Sequence, residues 1–158
     1  MNPGKMFFSL SDRVKRYSRL PMKKKIQISS QIVGARMKQY HFKVTFRQIS
    51  NFAASISDGN ERYFNTQKAN GIIAHPLFAV RISWGIVTKI FELWDMTLPA
   101  EIFSNLLHHS EYLIHHRPLK PGDELTIQGE ISGLFPHKLG AEIVLKFDSF
   151  DQSGQLVL

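Results

Sequence analysis

Apolar and polar positions change period several times along the chain, and each change marks an element. His41, Phe42, Lys43, Val44 and Thr45 suit a short strand. Thr45 and Gln48 then form a capping-box pattern ahead of Phe46, Ile49, Phe52, Ala53 and Ile56, which predicts a first, amphipathic helix. Residues 57–60 read Ser-Asp-Gly-Asn, a group that tolerates left-handed backbone and ends the helix. From Pro76 to Trp94 twelve of nineteen residues are apolar and fall on nearly every face, with charges only at Arg81, Lys89 and Glu92. That stretch predicts one long, mostly surrounded helix with a proline in its first turn. It is not a membrane span, because three charges interrupt a run of about the minimum length of 17 residues.

Strand signals follow: Leu106 to His116, the turn Pro121-Gly122-Asp123, Glu124 to Leu134, a connection from Pro136 to Gly140, and Ala141 to Phe150 with Ile143, Leu145 and Phe147 alternating. Asp151 to Gly154 make one more turn before Gln155 to Leu158. Long antiparallel strands after one well-buried helix predict an α+β fold of the hot-dog kind, a curved antiparallel sheet wrapped around a long central helix. On this expectation the last strand is truncated at four residues, and a neighbouring strand is left partly unpaired.

Composition adds two constraints. The chain holds no cysteine, which excludes disulfide scaffolds and thiol or zinc-thiolate chemistry and fits a reducing compartment; the cytoplasm is the expected location, with an organellar matrix as the alternative. The net charge of +7 lies in the arm 1–28, where eight basic residues face Asp12 alone, while 29–158 carries twelve of each sign. A neutral domain, 29–158, behind a basic arm is not the footprint of a nucleic-acid-binding fold, and nucleic acid is not expected as a partner. The arm also holds Met6, Phe7, Phe8, Leu10 and Val14, which keeps an amphipathic presequence open, whereas no apolar core with a small-residue cleavage site follows.

Candidate chemistry concentrates around Ser55 to Asn65, SISDGNERYFN, and around Ala74-His75-Pro76-Leu77. Val33 to Ala79 and His115 to Ser132 resemble the MaoC-like dehydratases, the (R)-specific 2-enoyl-thioester hydratases with a hot-dog fold. Active members carry a motif like D-x-N-P-[apolar]-H after the first helix and A-H-G-[apolar] at the start of the central one. Asp58 and Asn60 match the first, but Tyr63 stands where the histidine would be and Pro76 where the glycine would be. The resemblance implies that an Asp–His pair holds the water added to the enoyl β-carbon while a backbone N–H stabilises the thioester oxyanion. Tyrosine, with an ordinary pKa of about 10 against about 6.5 for histidine, is a poor proton carrier at neutral pH. Proline has no N–H to give, and losing one oxyanion donor costs ~10²–10³ in rate.

These departures resemble the non-catalytic halves found in FAS-type dehydratases and in the dehydratases of mycolic-acid synthesis. They imply a chain that accommodates the acyl group of an acyl-CoA or acyl-ACP thioester while a partner supplies chemistry. Under this reading Asp58 is vestigial or orienting, and Asn60, Tyr63, Pro76, Phe78 and Ala79 are the substrate-contacting set. The partner is a second copy, a different subunit in a heterodimer, or a second hot-dog domain. Two alternatives stay open: an active hydratase using Asp58 with His75, and a hot-dog thioesterase or acyl-CoA-binding module. No cofactor is expected. Metal is not expected either, because His109 and His115 on one face of a strand stand roughly 20 Å apart. Trp84, Phe91 and Trp94 at helical spacing are expected in the core.

Overall fold

The computed structural model describes residues 27–68, 71–94, 101–138 and 140–158, so nearly all of the basic arm lies outside the described residues. Strand β1, Tyr40–Lys43, leads through Val44 into helix α1, Phe46–Ser55. Both halves of the capping box form: Thr45 Oγ1 accepts the Gln48 N–H at 3.3 Å, and Gln48 Oε1 accepts the Thr45 N–H at 2.9 Å. Helix α2 spans Phe78–Val87, and two short helices follow, α3 at Ile90–Leu93 and α4 at Ile102–Asn105. Strands β2, Glu124–His137, and β3, Gly140–Phe150, complete a three-stranded antiparallel sheet in the order β1-β2-β3.

Three expectations need correcting. The stretch Pro76 to Trp94 is two helices, because Thr88 turns its hydroxyl back on the Gly85 carbonyl at 2.9 Å and Lys89 leaves the helical region at φ −108°. The helix is also not surrounded: Phe78, Ile82 and Ile86 are buried, but Leu77, Trp84 and Phe91 are 50%, 44% and 46% exposed, and of the expected core aromatics only Trp94 is buried. Leu106 to His116 forms no regular strand. Its last residue alone finds a sheet-like partner, the His116 N–H donating to the Val157 carbonyl at 3.0 Å, since a strand needs a hydrogen-bonding neighbour along its length. The rest of the segment is tied to α2 by side chains: the Ser83 hydroxyl donates to Glu111 at 2.6 Å, His108 stands 3.3 Å from the same carboxylate, and its ring lies over Trp84 at 5.7 Å. The strand geometry used to separate the histidines therefore does not apply; among the described residues no three His, Asp or Glu side chains gather at a metal-sized site.

The third correction is at the β2–β3 hairpin, where Pro136 belongs to the strand and pairs with Ala141, so the connection is two residues. Proline is tolerated there because the strand is ending. The Pro121-Gly122-Asp123 turn forms as expected, with Gly122 at φ +95° and its N–H donating to the Val44 carbonyl at 2.8 Å. One cluster of buried side chains joins the layers: Ile49 and Ala53 from α1, Phe78, Ile82 and Ile86 from α2, Leu125, Ile127 and Ile131 from β2, and Val157 near the end. No helix among the described residues is long and apolar enough to cross a membrane.

Candidate functional site

The loop after α1 is shaped by its own hydrogen bonds. The Ser57 N–H donates to the Ala54 carbonyl at 3.0 Å and the Asp58 N–H to the Ala53 carbonyl at 2.9 Å, the paired closure of a Schellman motif. Ser57 takes the left-handed position at φ 59° that such a motif usually gives to glycine. Asp58 follows, and its Oδ1 accepts the Asn60 N–H at 3.0 Å. Asn60 in turn caps a 3₁₀ turn, Glu61–Tyr63, through the Arg62 N–H at 3.2 Å. The side-chain oxygen of Asn60 is thus spent on the backbone.

Residues 71–75 run beneath this loop. The Ile73 N–H donates to the Arg62 carbonyl at 3.0 Å and the Ala74 N–H to the Leu119 carbonyl at 2.8 Å, and this delivers His75 to the mouth of α2. There His75 Nε2 stands 3.6 Å from Asp58 Oδ2, with the two side chains 17% and 35% exposed. That separation is an ion-pair distance and too long for a hydrogen bond. Tyr63 is buried, and its ring packs at 5.3 Å from the imidazole; Phe52 covers another side at 6.1 Å. Ser50 holds the Tyr63 carbonyl at 2.9 Å.

The chemistry of this arrangement is limited by what its polar atoms already do. His75 Nδ1 accepts the Leu77 N–H at 3.0 Å, which assigns the neutral ring's proton to Nε2, facing Asp58. The imidazole consequently has no free lone pair with which to accept a proton from water. Pro76 has no N–H, the Leu77 N–H is taken by His75, and the Phe78 N–H donates to the His75 carbonyl at 2.8 Å. Position 76 and the Leu77 and Phe78 amides therefore offer no free donor to an oxyanion.

Of the residues singled out in the sequence, Asp58, Tyr63, His75 and Pro76 come together, with Asn60 in the adjoining turn. Phe78 is fully buried, edge-on to Phe52 at 5.6 Å and to Phe42 at 6.3 Å, and Ala79 is buried beside it. Both stand in the core of the single chain. Phe52, beside His75, and Arg81, over the Phe42 and Phe78 rings, were missed. Phe52 was legible only as a core position of α1, and Arg81 only as a charge interrupting an apolar helix.

The geometry has counterparts. The family model described as FAS1-like, dehydratase domain region, matches residues 31–157. A UPF0336 protein of Streptomyces griseus is 25% identical over 123 residues, covering 74% of this chain and 79% of its own length. Among solved structures, the truncated HadBC complex of Mycobacterium tuberculosis, a 3R-hydroxyacyl-ACP dehydratase, superposes with TM-score 0.68 at 17% identity, covering 82% of this chain and 93% of that one. The (R)-hydratase PhaJ1 of Pseudomonas aeruginosa gives TM-score 0.59 at 23% identity, covering 79% and 75%. The fold is the hot-dog fold of these dehydratases, α+β as the strand pattern predicts.

Proposed function

This chain belongs to the FAS1-like dehydratase domain family, and on that premise we propose that it is a non-catalytic hot-dog half of an (R)-specific 2-enoyl-thioester hydratase, or 3-hydroxyacyl dehydratase. Its role is to accommodate the acyl chain of a CoA or ACP thioester beside a partner that carries the chemistry. One observation carries this: His75 and the two amides it touches at the mouth of α2 are already committed inside the chain, the imidazole lone pair to the Leu77 N–H and the Phe78 N–H to the His75 carbonyl. Catalysis needs groups whose interactions strengthen in the transition state, and groups satisfied beforehand have first to give up the bond they hold.

The uncovered side of the molecule supports a partner. Leu77, Trp84 and Phe91 on or beside the helices and Leu107, Tyr112 and Ile114 on the segment tied to α2 are all exposed, large apolar side chains of the kind that mark interaction faces. The HadBC neighbour is itself a complex, consistent with a second hot-dog unit, in the same or another chain, on this face.

The competing reading is an active hydratase, and it rests on the 3.6 Å approach of His75 to Asp58. Hydration of crotonyl-CoA and of a longer trans-2-enoyl-CoA by the purified chain, followed by loss of enoyl absorbance, separates the two. The expected result is no turnover above the uncatalysed rate, with saturable binding of the longer acyl-CoA. Turnover that disappears in Asp58→Asn would overturn the non-catalytic assignment, and release of free CoA thiol would turn it towards a thioesterase.

A further inference from the structure

Beside the Asp58–His75 site lies a cleft that those residues do not line. Thr45, Gln48, Phe52 and Ser55 recur along one side of α1 and, with Arg47 and Asn51, face Arg81 of α2 across a cavity of about 320 Å³. Among the described residues no carboxylate lines it. The Arg81 guanidinium carbon sits 5.8 Å from the Phe42 ring centroid and 5.7 Å from that of Phe78, two aromatic contacts that fix the direction of an otherwise exposed side chain. Among the described residues neither Arg47 nor Arg81 has an ion-pair or hydrogen-bond partner.

Two guanidiniums without an anionic partner among the described residues make the cleft electropositive, so the arrangement favours an anion in it. Guanidinium is the side chain whose planar donor fork matches the oxygens of a phosphate, and Asn51 adds an amide. A hydrophobic wall completes the site: Phe52 lines the cleft and also packs against His75, which brings an occupant of the cleft next to the loop described above.

We propose that the Arg47–Arg81 cleft is a binding site for a phosphate group, of the phosphomonoester or pyrophosphate class. The site stands on the cleft alone and does not depend on whether the chain is catalytic. Free phosphate, the pyrophosphate of a nucleotide-linked thioester and the phosphate of a carrier-linked pantetheine arm share this chemistry.

Calorimetric titration of the full chain at low salt tests it, using pyrophosphate, 4′-phosphopantetheine and, as the phosphate-free comparison, pantetheine. The variants are Arg47→Gln, Arg81→Gln and Lys120→Gln, the last removing an equal charge from an exposed turn outside the cleft. Pyrophosphate is expected to bind saturably, with affinity falling about tenfold or more in either arginine variant and unchanged in Lys120→Gln, as losing one charged hydrogen bond implies. Tighter binding of phosphopantetheine than of pyrophosphate identifies a thioester handle, and equal or weaker binding a simple anion; both support the site. Absence of saturable binding, binding of pantetheine as tight as that of its phosphate, or equal losses in all three variants overturns it. Unchanged thermal midpoints show that the variants remain folded. Hydration activity is a separate readout, so this site and the catalytic assignment fail independently.

Discussion

Ser57 occupies the left-handed turn that ends α1, at φ 59°, and is the non-glycine residue with positive φ among the described residues. An L-residue there costs about 1–2 kcal/mol relative to glycine, offset in part by the greater freedom glycine has when unfolded. Ser57→Gly is therefore expected to stabilise the chain by about 0.5–1 kcal/mol, seen as a higher urea midpoint at unchanged slope. A lower midpoint would show that the serine side chain contributes something the backbone closure does not. The neighbouring residues illustrate what sequence can carry at this scale. Asp58 and His75 were legible as chemical types, and Pro76 as a missing donor. That Leu77 would satisfy His75 Nδ1 was not legible, because it depends on the direction in which the imidazole enters the turn.

Glycine in β2 makes the corresponding point for an element. Gly129 lies on the inward face between Ile127 and Ile131, where a β-carbon would come within 2.7 Å of Met37 Sδ and of the Phe147 ring. Its backbone is ordinary strand, so the glycine serves close approach and not conformation. Gly129→Ala should destabilise by about 1–3 kcal/mol through overpacking, measured as a lower thermal midpoint. A change within about 0.5 kcal/mol would mean that the Met37 and Phe147 side chains yield at little cost. The strands around it were readable because their alternation is local. The break at Thr88 and the unpaired stretch 106–115 were not, since apolar residues in sequence state a need for cover without saying which side supplies it.

Across the molecule, Arg117 joins the two turns that precede and follow the long hairpin, donating to Asp123 at 2.8 Å and to Asp151 at 3.1 Å. Asp151 is held down to about 2, first by the Ser153 hydroxyl, with the Gln155 amide, Arg117 and the Ser153 amide adding to it against the opposing effect of burial. A carboxylate depressed on folding stabilises the native state above its unfolded value of 3.8, and that contribution is lost as pH falls from there towards about 2. Asp151→Asn should lower the thermal midpoint at neutral pH and flatten its decline over this acid window. Parallel declines in wild type and variant would show that Asp151 does not govern the acid limb.

The sequence by itself determined the elements whose signals are local: the capping box at Thr45, the stop at residues 57–60, the turn at Pro121-Gly122-Asp123, the α+β class, and the residue types at Tyr63 and Pro76. Tertiary structure decided what depends on neighbours distant along the chain. It set His75 against Asp58, turned the Leu77 and Phe78 amides onto His75, left Trp84 and Phe91 exposed, and brought Arg47 and Arg81 to one cleft. The physical reason is the same in each case. Propensity and period are properties of a few adjacent residues, whereas burial, proton placement and charge pairing are properties of the space that folding assembles around them.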